Sequence, residues 1–273
     1  MGVEVDLSGR IAVVTGGGSG IGGATSEVLA AAGAHVVVAE VDAGLAMAAV
    51  DSIRKSGGSA ETSVVDVREP ADVRRLAETT LADHGQVDIL VNNVGHYLAT
   101  MPFAQSDEDH WNALDAINFR HVLRVTRALL PSMVERGSGS VINVTSVEGL
   151  RGYPPDPVYG AYKAAVAHFT RCLALEVAPR GVRVNAIAPD LTQTTQVDYA
   201  RTTPPELADR WPIWAPVGRV GTPPDNADVV LFLASDLSRF MVGQVIPTDG
   251  GSVAAGGWFR TTKGRWTNRP RNP

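Results

Sequence analysis

The sequence predicts a single doubly wound α/β domain, one parallel sheet of seven strands with helices on both faces. Three observations carry this. Short apolar, β-branched runs recur along the chain, stretches of helical period separate them, and a glycine-rich run stands between the first strand and the first helix.

The strand runs are Ile11–Thr15, His35–Glu40, 62–67, 88–92, 140–145, 182–188 and 244–248. Each is apolar along most of its length, the mark of a strand buried on both faces. Helices are predicted over 20–32, 43–56, 70–84, 107–135, 157–178 and 222–235. Alternation of this kind requires right-handed crossovers and hence a parallel sheet. No linker separates a second domain, and there is no internal repeat. The predicted domain is 1–251, with a substrate loop at 191–215 that carries Tyr199, Trp211 and Trp214, since long loops in compact domains are usually lids or binding loops. Beyond it, 252–273 form a basic, aromatic tail containing Arg260, Lys263, Arg265, Arg269 and Arg271.

Composition narrows the function. Apolar residues make up 44% of the 273 and charged residues 19%, enough for a packed core and too apolar for disorder. The net charge of −5 argues against a nucleic-acid partner held by bulk charge. Cys172, the only cysteine, cannot form an intrachain disulfide. The first residues lack the basic and apolar regions of a signal peptide, and no apolar run is long enough to span a bilayer, so no membrane partner and a cytoplasmic location are expected. His35, His84, His96, His110, His121 and His168 show no paired metal spacing, so no metal is expected.

The glycine-rich run 15–23 follows the first strand and opens the first helix. Glycines there allow a tight turn and close backbone approach, and the helix N-terminus presents N–H groups to a pyrophosphate. A G-x-G-x-x-G pattern fits 18–23, and a G-x-x-x-G-x-G pattern uses Gly16, Gly20 and Gly22. The second strand ends at Glu40, where a carboxylate can accept both ribose hydroxyls of an adenosine. A 2′-phosphate beside Glu40 would meet like charge, and no Arg or Lys lies in the glycine-rich run or next to Glu40. NAD is therefore expected over NADP.

Tyr159 and Lys163 share one face of a predicted helix. An ammonium near a tyrosine favours phenolate and makes it a usable acid–base group. Ser146 closes a strand thirteen residues earlier, where its hydroxyl can polarise a carbonyl.

In order and spacing, Thr15-Gly16-x-x-x-Gly20-x-Gly22, Asp66, Asn92-Asn93-x-Gly95, Asn118, Ser146, Tyr159-x-x-x-Lys163, Arg183-Val184-Asn185, Pro189 and Asp249-Gly250-Gly251 resemble the short-chain dehydrogenase/reductases over about residues 7–251. The resemblance implies a Rossmann-type sheet in order 3-2-1-4-5-6-7 and a homotetramer. It also implies catalytic roles for Ser146, Tyr159, Lys163 and Asn118. Tyr159 would be the general acid–base and Ser146 the carbonyl partner. Lys163 would lower the Tyr159 pKa and hold the nicotinamide ribose, and Asn118 would anchor a water of the proton relay. The implied cofactor contacts are Gly16, Ser19, Gly20, Ile21 and Gly22 in the phosphate loop, Glu40, Asp66 and Val67 at the adenosine, Asn92 and Gly95, then Ile187, Pro189 and Thr194 at the nicotinamide, besides Tyr159 and Lys163. Two residues depart from the family pattern, Val94 for Ala and Asp190 for Gly. Tyr162 takes the family's small-residue position and is not the catalytic tyrosine.

The expected function is an NAD-dependent oxidoreductase acting on a small-molecule secondary alcohol or ketone. Trp211, Trp214, Trp258 and Trp266 in the loop and tail suggest a bulky apolar substrate such as a steroid, terpenoid or long acyl group. The alternative is a 3-oxoacyl or 3-hydroxyacyl thioester reductase or dehydrogenase (on acyl carrier protein or coenzyme A), whose usual NADPH preference conflicts with Glu40. An alternative of another class is a catalytically silent, nucleotide-sensing protein, which Ser146, Tyr159 and Lys163 argue against.

Overall fold

The computed structural model describes residues 5–268. Seven parallel strands, β1 (Ile11–Thr15), β2 (His35–Glu40), β3 (Ser59–Val64), β4 (Ile89–Asn92), β5 (Gly139–Val144), β6 (Val182–Pro189) and β7 (Val245–Thr248), lie in the order β3-β2-β1-β4-β5-β6-β7. The helices are α1 (Gly20–Ala31), α2 (Ala43–Lys55), α3 (Pro70–His84), α4 (Glu108–Asp115), α5 (His121–Arg136), α6 (Pro157–Val177), α7 (Tyr199–Thr202), α8 (Trp211–Trp214), α9 (Pro223–Ala234) and α10 (Ser252–Ala255). The strand order reverses between β1 and β4. In a doubly wound sheet this reversal opens a crevice at the carboxyl ends of the strands, and that is where ligands bind.

Side chains alternate across the sheet and supply two cores. Ala12, Val14, Val36 and Val38 face Leu29 of α1 and Ile53 of α2. Val13, Val37 and Leu90 face Leu76 of α3 and Leu129 and Met133 of α5. Burying one such leucine contributes about 1.5–3 kcal/mol.

Two boundaries differ from expectation. The third strand lies at Ser59–Val64, three residues before the predicted run. As the sheet edge it buries only Ala60 and leaves its other residues partly or fully exposed, so Ser59, Glu61 and Ser63 belong to it, while the apolar Val65 and Val67 pack into the core just past its end. The predicted helix 107–135 is interrupted by one π-helical turn, Ala116–Arg120, which re-aims Asn118 inward.

The tail pairs β8 (Phe259–Arg260) with β9 (Trp266–Thr267) in an antiparallel hairpin. Phe259 meets Trp214 of α8 edge-on at 6.2 Å between ring centroids. Arg269 and Arg271 lie outside the described residues. Among the described residues no helix is long and apolar enough to cross a membrane.

Candidate active site

A cavity of about 910 Å³ opens at the carboxyl ends of β1, β2, β4, β5 and β6, over the strand-order reversal. Its floor is the turn after β1. Gly16 and Gly20 have φ of +61° and +56°, a backbone region that side chains disfavour. A Cβ on Gly22 would overlap the Gly16 carbonyl oxygen. By contrast a Cβ on Gly23 would make only ordinary contacts with Gly18. The backbone therefore selects the Gly16, Gly20, Gly22 register of the two patterns the sequence allows. Ser19, Gly20 and Ile21 line the cavity, whereas Gly22 acts by letting helix and loop touch.

Glu40 ends β2 almost fully buried. One carboxylate oxygen accepts the Gly18 N–H at 3.2 Å, and the other accepts the Val41 N–H at 2.9 Å. The carboxylate thus holds the glycine loop and lines the adenosine end of the cavity. Asp66 and Val67 line the same end. Arg68 joins them, a cation that local sequence does not place near Glu40, but it is committed to Asp66 by contacts of 2.6–3.0 Å.

The expected contact at Asn92 moves by one residue. Asn92 is fully buried, donating to Thr126 and Asn143 at 2.9 Å, and does not line the cavity. Because side chains alternate along β4, its neighbour Asn93 faces the site. Asn93 Nδ2 donates to the carbonyls of Thr15 and Gly16 at 3.0 and 3.2 Å and pins the glycine turn. Ile187 is likewise buried beneath the cavity, while Gly95, Pro189 and Thr194 line it.

The chemical end is built on β5 and α6. Ser146 follows β5, and its Oγ accepts the Glu148 N–H at 3.1 Å. Asp156 caps α6 by accepting the N–H groups of Val158 and Tyr159, each at 3.1 Å, and His110 Nε2 fixes the cap from 2.9 Å. Pro157 at the first turn needs no donor there. This places Tyr159 and Lys163 one helical turn apart, both facing the cavity. Lys163 is buried, its Nζ donates to the Val144 carbonyl at 3.3 Å, and it lies 5.9 Å from the centre of the Tyr159 ring. Burial lowers the Lys163 pKa to about 8.

The Tyr159 pKa is shifted upward overall, against the lowering expected from Lys163. Burial dominates and pushes the Tyr159 hydroxyl above its ordinary value, and hydrogen bonding with Ser146 opposes the shift. Tyr153, missed at the sequence level, stacks edge-on against Tyr159 at 5.7 Å and adds to the upward push. Asn118 is fully buried and does not line the cavity. Its amide accepts the His96 N–H at 3.1 Å and donates to the His96 carbonyl at 2.8 Å, so it holds the segment after Gly95 in place.

The substrate side is formed by Tyr97, Glu148, Tyr153, Asp190 and Tyr199. Asp190 holds three partners. Its carboxylate accepts from the Arg151 guanidinium at 3.0 Å, from Ser252 at 2.5 Å and from the Leu191 N–H at 2.8 Å. Arg151 also meets Glu148 at 2.9 Å. No tryptophan lines the cavity. Trp211 instead supports Tyr199 edge-on at 5.4 Å, and Trp214 is 63% exposed beside Phe259. The tryptophan argument for a bulky apolar substrate therefore loses its footing.

A family profile described as "Enoyl-(Acyl carrier protein) reductase" matches residues 16–253. The chain is 35% identical over 248 residues to the 3-oxoacyl-[acyl-carrier-protein] reductase FabG of Thermotoga maritima, covering 90% of this chain and 99% of that one. It is 36% identical over 245 residues to the cis-4-hydroxycyclohexanecarboxylate dehydrogenase of Sinomonas cyclohexanicum, covering 90% and 97%. A solved 7α-hydroxysteroid dehydrogenase, complexed with NADH and a 7-oxo bile acid, superposes with a TM-score of 0.84 at 30% identity, covering 91% of this chain and 96% of that one.

Proposed function

The chain belongs to the short-chain dehydrogenase/reductase family of oxidoreductases, and from that premise we propose that it interconverts a secondary alcohol and its ketone with NAD. The observation that carries this reading is the joint presence of Ser146, Tyr159 and Lys163 at one end of a cavity whose other end is the glycine turn and Glu40. The family's cofactor is a nicotinamide dinucleotide, NAD or NADP, and the glycine cradle fits its pyrophosphate. When bound, the nicotinamide supplies or accepts the hydride.

The residues divide the remaining work. Ser146 donates a hydrogen bond to the substrate oxygen. Tyr159, held as a neutral phenol by burial, gives its proton to that oxygen in the reductive direction and becomes phenolate, and in the oxidative direction the phenolate form takes the proton from the substrate hydroxyl. Lys163 places a positive charge beside the Tyr159 ring, which stabilises the phenolate that remains when the proton has left. Asn118 acts on this site through the backbone of His96. Glu40 supports NAD over NADP, because a 2′-phosphate there would face a buried carboxylate while Arg68 is already paired.

For the substrate, a 3-oxoacyl or 3-hydroxyacyl thioester is supported ahead of a bulky apolar alcohol. The relative from Thermotoga maritima carries that activity in its name, and no tryptophan walls the cavity. A compact ring alcohol is the second reading, favoured by the tyrosine cuff of Tyr97, Tyr153 and Tyr199 and by the relative from Sinomonas cyclohexanicum. Following NADH at 340 nm with acetoacetyl-CoA, 3-hydroxybutyryl-CoA and a panel of cyclohexanols discriminates them. Turnover of thioesters alone supports the first reading, and turnover of ring alcohols alone replaces it with the second. NAD binding without any turnover would revive the silent sensor. A homotetramer and a cytoplasmic location complete the proposal, and light scattering on the purified chain tests the former.

A further inference from the structure

On β2 and β3, away from the carboxyl ends of the strands where the cavity opens, three side chains from three elements converge. His35 opens β2, Glu61 lies in β3 and His84 ends α3. One ligand atom from each lies within 4.8 Å of the others. We propose that His35, Glu61 and His84 form a binding site for one zinc-type divalent transition-metal ion, separate from the catalytic cavity.

The donor set and its orientation carry the argument. His84 Nε2 is 2.9 Å from Glu61 Oε1, and His35 Nε2 is 3.7 Å from Glu61 Oε2. His35 Nδ1 sits 2.7 Å from the Ser59 hydroxyl. With Nδ1–H donating to that hydroxyl, Nε2 keeps its lone pair and points into the cluster, the arrangement in which an outer hydrogen bond fixes a metal-ligating imidazole. That Nε2 is buried and has no hydrogen-bond partner. The two rings lie 4.7 Å apart between centroids, tilted by 44°, so both can present nitrogen to one ion.

Two imidazoles and one carboxylate suit zinc and its neighbours, whereas magnesium and calcium prefer all-oxygen sets. The side chains are 25%, 35% and 17% exposed in sequence order, which leaves access for the ion and for a water as further ligand. Arg54, the nearest cation acting on His35, donates its Nε to the Ala60 carbonyl at 3.0 Å. An ion here would tie the two edge strands to the end of α3. Spacing hides the site, since its ligands stand 26 and 23 residues apart and meet only through strand pairing.

Titration calorimetry of the full chain, treated with EDTA and dialysed, tests this with ZnCl₂ and MgCl₂ separately. One Zn²⁺ per chain, a higher melting temperature with Zn²⁺ than with EDTA, and no heat with Mg²⁺ are expected. His84→Ala and Glu61→Gln should each weaken Zn²⁺ binding by about tenfold or more. Because a variant can lose its fold, Co²⁺ loading of the unaltered chain gives an independent reading through the visible absorption of a nitrogen- and oxygen-ligated ion. No one-to-one uptake of Zn²⁺, no Co²⁺ absorption, or unchanged Zn²⁺ affinity in a His35→Ala, His84→Ala double variant would each overturn the site.

Discussion

A Cβ at position 95 would stand 2.6 Å from Nζ of Lys163, and 3.2 Å from Oδ1 of Asn118. Gly95 therefore leaves the space that the Lys163 side chain occupies. Its backbone conformation is ordinary, so the demand for glycine here is one of space alone.

Gly95→Ala should push Lys163 away from Tyr159 and crowd the Asn118 amide. Overpacking of this kind costs about 1–3 kcal/mol, so the melting temperature should drop by several degrees and kcat by about tenfold or more. Steady-state kinetics and a thermal melt check both. A wild-type kcat in this variant would show that the space is not shared.

Tyr159→Phe removes the proton-transferring oxygen and almost no volume. Turnover should fall by about 10²–10⁴-fold, while NAD titrated by fluorescence binds as before. Tyr162→Phe, three residues along α6 and outside the cavity lining, should stay near wild type. The reverse pattern would move the catalytic role to Tyr162.

Glu40→Ala should raise the KM for NAD and narrow the preference for NAD over NADP, because it removes both the repulsive charge and the acceptor for the Gly18 amide. The measurement is kcat/KM with each cofactor. Equal or better efficiency of the unaltered enzyme with NADP would contradict the assignment.

Asp190→Ala releases Arg151 and Ser252 at the substrate rim. Arg151 is 41% exposed, so its lost ion pair should cost stability little. The expected change is in substrate KM, with kcat moved much less. A kcat loss as deep as that of Tyr159→Phe would instead place Asp190 in the chemical step.

His121 predicts a pH dependence. It is fully buried, and burial, aided by the Lys163 ammonium, lowers its pKa from 6.5 to about 3. As pH falls below 6.5 the unfolded chain binds the proton first, so this contribution is complete above that pH and is lost progressively toward 3. The slope is at most about 1.4 kcal/mol per pH unit. Urea unfolding at pH 7, 6 and 5 should show a shallower decline in His121→Gln than in the unaltered chain. Identical slopes would mean that other groups set the acid limit.

The alternation of strands and helices, the glycine turn and the Tyr159–Lys163 spacing were legible in the sequence because each depends on neighbours a few residues apart, while the strand order came only with the family resemblance. A run of buried β-branched residues declares a parallel strand, a glycine before a helix declares a turn, and a spacing of four on a helix declares a shared face. The strand β3, the turn at Asn118 and the choice of Asn93 over Asn92 were not legible. An edge strand need not be apolar, a π turn leaves no periodic signature, and the side of the sheet an asparagine faces follows from register with β1 and β5. The fate of the tryptophans was equally hidden, since Trp211 reaches the cavity only through Tyr199 and Trp214 turns to Phe259. Sequence by itself determined the fold class, the glycine turn and the placing of Tyr159 and Lys163 on one helix face. Only tertiary structure decided that burial raises the Tyr159 pKa, that Arg68 pairs with Asp66, and that His35, Glu61 and His84 meet. Desolvation and convergence depend on which distant segments pack together, and residue spacing does not encode that.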